Sequence, residues 1–185
     1  MRLYRQTVED FGIYAGREFS AEELKNLRTA AGEVSAKMRA VRIVSASSVS
    51  KSDLERRLVQ KGESKKDAGR AVEWMSQMGL VDDEKTAQQV VQHCIAKGYG
   101  PARAKQALYE KQIPKEYWDA ALEDYPDMTD TILSFLASHL GDSREQKDIR
   151  RVTEALLRRG YSYPQVRRAL QQYLEEWCPL EDEYG

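Results

Sequence analysis

A segment of about fifty residues recurs three times in this chain, and this repeat limits the fold more than any other feature. With Leu58, Leu108 and Leu156 aligned, the copies lie 50 and 48 residues apart. A period near fifty is typical of helical arrays in which each unit buries one face on its neighbour. Three positions after each leucine stands a base, and six positions after it a residue that begins helices: Lys61, Lys111 and Arg159, then Ser64, Pro114 and Ser162.

Helical patterns fill the copies. Apolar residues recur at three- and four-residue spacings, and capping-box pairs predict helix starts at Ser20, Ser52, Ser64, Ser143 and Ser162. Each copy ends one helix on a base, turns tightly and begins another, and a further helix precedes each pair at about 34–47, 83–96 and 128–140. We therefore predict an all-α fold, a curved and elongated tandem array of three three-helix, helix-turn-helix-like repeats.

The repeats are expected at residues 34–80, 81–127 and 128–177. Residues 1–33 are expected to form an N-terminal arm with one helix near 21–31, and the arm is either irregular or a short strand around Gly12, where strand formers cluster. Residues 178–185 form an acidic tail, which is either a frayed end or a screen for the basic third repeat.

Composition excludes several classes of protein. With 11 glycines, 5 prolines and 32% charged residues in 185, the chain is neither collagen-like nor wholly disordered. We find no apolar run long enough to span a membrane and no secretory signal. The cysteines, Cys94 and Cys178, form no close pair, so we expect two inert thiols in the reducing cytoplasm.

The sequence offers little for catalysis. The two histidines are His93 and His139, and no phosphate-loop, zinc-protease or serine-hydrolase motif is present. The acidic run from Asp82 to Glu84 suggests a metal site, but its place before an apolar helical pattern favours an N-cap with first-turn acids. We expect no enzyme activity, no cofactor and no metal.

Basic residues are concentrated in two stretches. Residues 97–115 hold five bases and one acid, and residues 143–168 hold eight bases and three acids. Because the repeats share a register, equivalent bases can line one side of the array and match the phosphates or acidic patches of a polymer. For any single base, a solvated helix surface with pairs such as Arg150–Glu154 stays open. The candidate residues for binding a filament or DNA are Arg57, Lys61, Lys97, Arg103, Lys111, Arg150, Arg158, Arg159 and Arg167.

Base-specific reading of DNA by these helix pairs is not expected. The second helices of the first two pairs carry acids, among them Asp67, Glu73 and Asp119, which phosphates would repel. Aromatic residues interleave with the bases, but Trp118 falls at a position that predicts a place in the core.

Three ordered motifs resemble the RecX family of bacterial RecA regulators. They are Ser50-Lys-Ser-Asp-Leu-Glu-Arg-Arg-Leu-Val-Gln-Lys-Gly62; Val81-Asp-Asp-Glu84 with Lys97-Gly-Tyr-Gly-Pro101 and Leu108-Tyr-Glu-Lys-Gln-Ile-Pro114; and Leu156-Leu-Arg-Arg-Gly-Tyr-Ser162 with Val166-Arg-Arg-Ala-Leu170. The resemblance covers roughly residues 35–174. The chain departs from the family at Gln112, where a glycine is usual, and at Thr86, where an aromatic is usual.

The resemblance implies an all-helical protein that uses no cofactor. Members of the family bind the RecA–DNA filament, lie along its groove and usually inhibit its ATPase and strand-exchange activities, and some bind DNA directly. The expected partner is the RecA recombinase filament, with single- or double-stranded DNA as a further partner, and we expect a monomer. Two other functions stay open: a general DNA-binding protein that acts without RecA, and a helical scaffold for an unrelated protein.

Overall fold

A computed structural model of the chain describes residues 3–176. The predicted acidic tail at 178–185, and Cys178 within it, lie outside these described residues. The all-α prediction is confirmed, since ten α-helices and one short 3-10 helix account for the regular structure of residues 3–176. They are α1 (Arg5–Asp10), α2 (Ala21–Ala46), α3 (Lys51–Gln60), α4 (Lys65–Gln77), α5 (Asp83–Ala96), α6 (Pro101–Glu110), the 3-10 helix (Lys115–Tyr117), α7 (Trp118–Leu122), α8 (Thr129–His139), α9 (Gln146–Arg158) and α10 (Tyr163–Glu176).

The chain forms two compact units. Of the described residues, unit 1 contains 3–86 and 111–114, and unit 2 contains 87–110 and 115–176. The division of the sequence into three repeats stays a prediction. Within residues 3–176, no helix is long and apolar enough to cross a membrane.

Unit 1 is built on the long helix α2, which packs against α3 and α4. Leu54, Leu58 and Met75 are its largest fully buried apolar side chains. The start of α3 is fixed twice: the Ser50 hydroxyl accepts the backbone N–H of Asp53 at 3.1 Å, and the buried Asp83 carboxylate accepts the N–H of Lys51 at 2.8 Å. These bonds satisfy donors that a helix start leaves unpaired.

Unit 2 has its core where α8, α9 and α10 meet. The buried side chains there include Ile132 and Leu136 of α8, Leu156 of α9 and Val166 of α10. Tyr161, in the turn between α9 and α10, is also buried, which places that turn at the core rather than in solvent.

The predicted register of the repeat is visible in the backbone. The aligned leucines, Leu58, Leu108 and Leu156, are all 0% exposed. The residues four positions after them all take the left-handed conformation, with φ of 94° at Gly62, 55° at Gln112 and 90° at Gly160. The same turn therefore follows the helix in all three copies, and the second copy forms it without a glycine.

The N-terminal arm differs from the prediction. A strand around Gly12 is wrong: Arg5–Asp10 forms helix α1, and no strand occurs among residues 3–176. The predicted separate helices at 21–31 and 34–47 are one continuous helix, α2. Gly32 lies inside this helix, where the Asp67 carboxylate is so close that a Cβ on Gly32 would be 2.9 Å from its oxygen.

Three of the five predicted helix starts are confirmed. Ser20 forms a full capping box, and Ser64 and Ser162 accept backbone N–H groups three residues on. Ser52 is wrong because Ser50, two residues earlier, is the cap. Ser143 is wrong because its hydroxyl donates to the Asp148 carboxylate at 2.7 Å, and α9 begins without a side-chain cap.

The third helix of the second copy is shorter than its counterparts. It consists of the 3-10 helix and the five-residue α7. Trp118, predicted as core, is half-buried, and Ala121 is half-buried where its equivalents Ala71 and Ala169 are fully buried. Too few turns are present to bury a complete apolar stripe.

Candidate functional site

Two turns that carry predicted bases lie against each other in unit 2, and we call them the docked turns: residues 97–100 between α5 and α6, and residues 159–162 between α9 and α10. The N–H of Gly100 donates to the carbonyl of Arg159 at 2.8 Å, and the N–H of Ala102 donates to the carbonyl of Gly160 at 3.2 Å. The backbones are so close that a Cβ on Gly100 would lie 2.3 Å from the Gly160 oxygen. Only glycine fits such an approach, which explains why both turns carry one.

Two tyrosines, the buried Tyr161 and the half-buried Tyr125, hold the docked turns. The Tyr161 hydroxyl donates to the carbonyl of Gly98 at 2.8 Å, and the Tyr125 hydroxyl donates to the carbonyl of Tyr99 at 2.7 Å. Burial raises the pKa of both phenols, that of Tyr125 to about 12. Both hydroxyls therefore stay protonated at neutral pH and act as donors.

Arg159 lies between the docked turns and α8. Its guanidinium is 4.7 Å from the centre of the Phe135 ring and 5.9 Å from that of Tyr99. Cations so placed are attracted by the ring face. Lys97 and Arg159 line one groove of about 400 Å³, whose other side is formed by α8 residues such as Ser134 and Ser138. Arg159 is thus partly structural, and Lys97 is exposed.

The remaining predicted bases of unit 2 differ in their partners. Arg103, whose backbone packs on Gly160, pairs with Glu110 at 3.4 Å, and Arg150 pairs with Glu154 at 3.0 Å. Arg158 and Arg167 are exposed, and within residues 3–176 neither side chain has a partner. Unit 2 therefore presents Lys97, Arg158 and Arg167 as unpaired cations.

Unit 1 contains the other three predicted residues. Arg57 and Lys61 line the same pocket, about 500 Å³ in volume. Lys111 does not line this pocket. Its ammonium donates to the carbonyl of Ser48 at 3.0 Å, and the backbone carbonyl of Lys111 accepts the Ser50 hydroxyl at 2.6 Å. Lys111 is thus at least partly a structural residue that ties the 111–114 segment to the start of α3.

The pocket of unit 1 contains two bases outside the predicted set, Arg39 and Arg42. Both lie on α2, outside the aligned turns, so the repeat gave no signal for them. A weaker signal was their spacing of three residues, which places both on one face of a helix. The aromatic Tyr4, from the segment before α1, completes the rim.

The acidic run before α5 has a structural role, as its N-cap interpretation predicts. Asp82 accepts the N–H of Lys85 at 3.1 Å, and this hydrogen bond lowers the pKa of the Asp82 carboxyl. Asp83 caps α3, as described above. Cys94, near the C-terminal end of α5, is buried, and burial raises the pKa of its thiol. Among residues 3–176, no three His, Cys, Asp or Glu side chains are placed together to hold a metal.

Comparison with known proteins gives one consistent family. A family model described as RecX, second three-helix domain, matches residues 82–122. The regulatory protein RecX of Vibrio vulnificus is 26% identical over 140 residues, which is 74% of this chain and 92% of that protein. The regulatory protein RecX of Clostridioides difficile is 25% identical over 181 residues, which is 93% of this chain and 84% of that protein.

Two solved structures share the fold. A crystal structure of regulatory protein RecX superposes with a TM-score of 0.70 at 18% identity, covering 91% of this chain and 86% of that one. The crystal structure of RecX from Lactobacillus salivarius gives a TM-score of 0.67 at 18% identity, covering 79% of this chain and 99% of that one. At this identity the likeness concerns the fold alone.

Proposed function

This chain belongs to the RecX family, and from that membership we propose that it regulates the RecA recombinase by binding the RecA–DNA filament and inhibiting its ATPase. The protein acts without catalysis and as a monomer. The single observation that supports a filament contact is the docked pair of basic turns in unit 2. It is rigid, since four hydrogen bonds hold it, and it lies beside the exposed Lys97 and Arg158.

Inhibition by occupancy follows from weak contacts that act together. Each exposed cation contributes at most about 1 kcal/mol to an ion pair. Several such contacts on one chain bind an assembled polymer much better than a free subunit, because every contact after the first forms at high effective concentration. A ligand that binds one state of the filament better than another shifts the filament toward that state and changes ATP hydrolysis.

The test is single-stranded-DNA-dependent ATP hydrolysis by RecA, with this protein titrated from far below RecA up to stoichiometry. A bare-DNA binding curve is measured at the same salt concentration. The proposal predicts loss of hydrolysis at protein concentrations too low to coat the DNA. Unchanged hydrolysis at stoichiometry would refute it.

Two double variants distinguish a specific contact at the docked turns from a general effect of positive charge. The double variant Lys97→Gln and Arg158→Gln removes two exposed cations beside the docked turns. The matched control, Arg144→Gln with Lys147→Gln, removes two exposed cations of the same unit at the other end of α9. We expect the first variant to need roughly tenfold more protein for half-inhibition, at about 0.7 kcal/mol per lost contact, and the control to match the wild type. Equal loss in both variants would reject the docked turns as the contact.

A general DNA-binding protein is the second candidate, supported by the unpaired cations of unit 2. It predicts that inhibition appears only when the DNA itself is saturated. It also predicts that binding to bare DNA falls steeply with salt, because each phosphate contact releases a counterion.

A further inference from the structure

The pocket of unit 1 concentrates positive charge in a way that the fold does not need. Arg39 and Arg42 approach it from α2, and Arg57 and Lys61 approach it from the end of α3. Within each pair the residues are three or four positions apart, so like charges lie side by side on one helix face. Such pairs destabilise a helix by a few tenths of a kcal/mol each unless an anion lies between them.

Buried carboxylates hold two of the guanidinium groups from behind. The Glu63 carboxylate, whose side chain is 8% exposed, accepts from Nε of Arg39 at 2.8 Å, and the Arg39 Nη1 group donates to the carbonyl of Lys61 at 2.9 Å. The Asp53 carboxylate, 2% exposed, accepts from Nη2 of Arg57 at 2.8 Å. Both guanidinium groups are more than a third exposed. These bonds fix the orientation of each guanidinium. Because a guanidinium has five N–H donors, each also keeps donors for a ligand.

The other two cations have no such partner. Arg42 and Lys61 are exposed, and no acceptor among residues 3–176 binds either side-chain head group. The negative charges of Asp53 and Glu63 do not neutralise the four cations of the pocket, because Asp53 also pairs with Arg56, which lies outside it. The pocket therefore combines two oriented forks, a free guanidinium and a free ammonium.

This donor set fits a phosphate group better than a carboxylate. A carboxylate has two oxygens, and one arginine fork satisfies both. Three arginines and a lysine around one pocket offer more donors than a single carboxylate accepts, whereas a phosphate has three or four oxygens and more charge. The buried Ile43 side chain adds an apolar surface to the lining, which strengthens charge interactions next to it.

We propose that this pocket of unit 1, lined by Arg39, Arg42, Arg57 and Lys61, is a binding site for a phosphate group. The phosphate belongs either to a free nucleotide or pyrophosphate, or to the backbone of a single-stranded nucleic acid. A free phosphate compound would go beyond both candidate functions, whereas a nucleic acid phosphate rests on the second candidate and assigns it a site. In either case the site needs no recombinase and uses none of the unit 2 residues tested above. Tyr4, half-buried at the rim, offers its ring to a base attached to that phosphate.

Calorimetry with the full-length protein at low salt tests the site without RecA. The probes are inorganic pyrophosphate, ADP and an unphosphorylated ten-residue oligothymidylate. The test variant is Arg42→Gln with Lys61→Gln, which removes the two cations that have no structural bond from their head groups. The matched control is Lys65→Gln with Lys66→Gln, two exposed cations at the start of α4 in the same unit.

We expect pyrophosphate to bind the wild type and the control equally, and the test variant at least tenfold more weakly. If the oligonucleotide shows the same tenfold difference, the natural source is a nucleic acid backbone; if only pyrophosphate and ADP do, it is a free phosphate compound. Equal weakening in both variants would overturn the site, and so would the absence of pyrophosphate binding to the wild type. A circular dichroism spectrum of each variant shows that it is folded.

Discussion

The replacement of Gly160 by alanine tests the docked turns most directly, because the repeat supplies its own control. Gly62 is the equivalent residue of the first copy, and its φ of 94° nearly equals the 90° of Gly160. An alanine in this left-handed conformation costs about 1 kcal/mol at either position. The two sites differ in their neighbours. A Cβ on Gly62 would meet nothing within 4 Å, whereas one on Gly160 would lie 2.3 Å from the Arg103 nitrogen.

The difference between the two variants therefore isolates the contact between the turns. A Cβ at Gly160 must push the Gly100 turn away by about 1 Å to reach normal contact distance. That movement lengthens the bonds from Gly100 N–H and Ala102 N–H, now 2.8 and 3.2 Å, beyond hydrogen-bonding range. Each bond contributes about 1 kcal/mol, so Gly160→Ala should cost about 2 kcal/mol more than Gly62→Ala.

Native-state hydrogen exchange measures this difference where it occurs. In Gly160→Ala, the amides of Gly100 and Ala102 should exchange much faster than in the wild type. Roughly thirtyfold of that increase comes from the lost contact between the turns, beyond the effect of the left-handed alanine that both variants share. Gly62→Ala should leave both amides at the wild-type rate. Equal destabilisation by the two alanines, or unchanged protection at Gly100, would refute the claim that close backbone approach holds these turns together.

Three further perturbations test other parts of the structure. Gln112→Gly should raise the free energy of unfolding in urea by about 0.5–1 kcal/mol, since it relieves the left-handed φ of 55°; a decrease would contradict that reading. Because the pKa of Tyr125 is raised from 10.0 to about 12, its contribution to stability is full below about pH 10 and is lost as pH rises from 10 to 12. Tyr125→Phe should flatten this part of the stability–pH curve, and an unchanged curve would assign it to other groups. Ser20→Ala removes the capping box of α2 and should cost about 1 kcal/mol, seen as faster exchange of the Glu23 amide; unchanged exchange would mean that the cap contributes nothing.

The sequence predicted the local features because they depend on residues close together in the chain. The leucine, base and turn register needs only helix periodicity and a left-handed residue, so Leu58, Leu108 and Leu156 were placed correctly. Ser20, Ser64 and Ser162 were identified as caps for the same reason. Helix class and most helix bounds followed from these signals.

Features that depend on distant residues could not be predicted in this way. The contact of Gly100 with Gly160 joins turns sixty residues apart, and periodicity contains no such pairing. The close approach of the distant Asp67 carboxylate to Gly32 inside α2 is also absent from any local pattern. Arg39 and Arg42 were missed because their importance comes from α3, which brings Arg57 and Lys61 to the same pocket.

The short segment 111–114 affects how the chain can be divided into fragments. It belongs to unit 1, although the residues on both sides of it belong to unit 2. A protease cut or a stop codon near residue 86 would therefore separate two features from the rest of unit 1. One is the buried side chain of Ile113, which is 4% exposed, and the other is the Lys111 carbonyl that accepts the Ser50 hydroxyl. The residue that caps α3 would lose one of its bonds in any such fragment. Two pieces made by one cut would not be two intact units, and complementation between fragments is the more suitable way to dissect this protein.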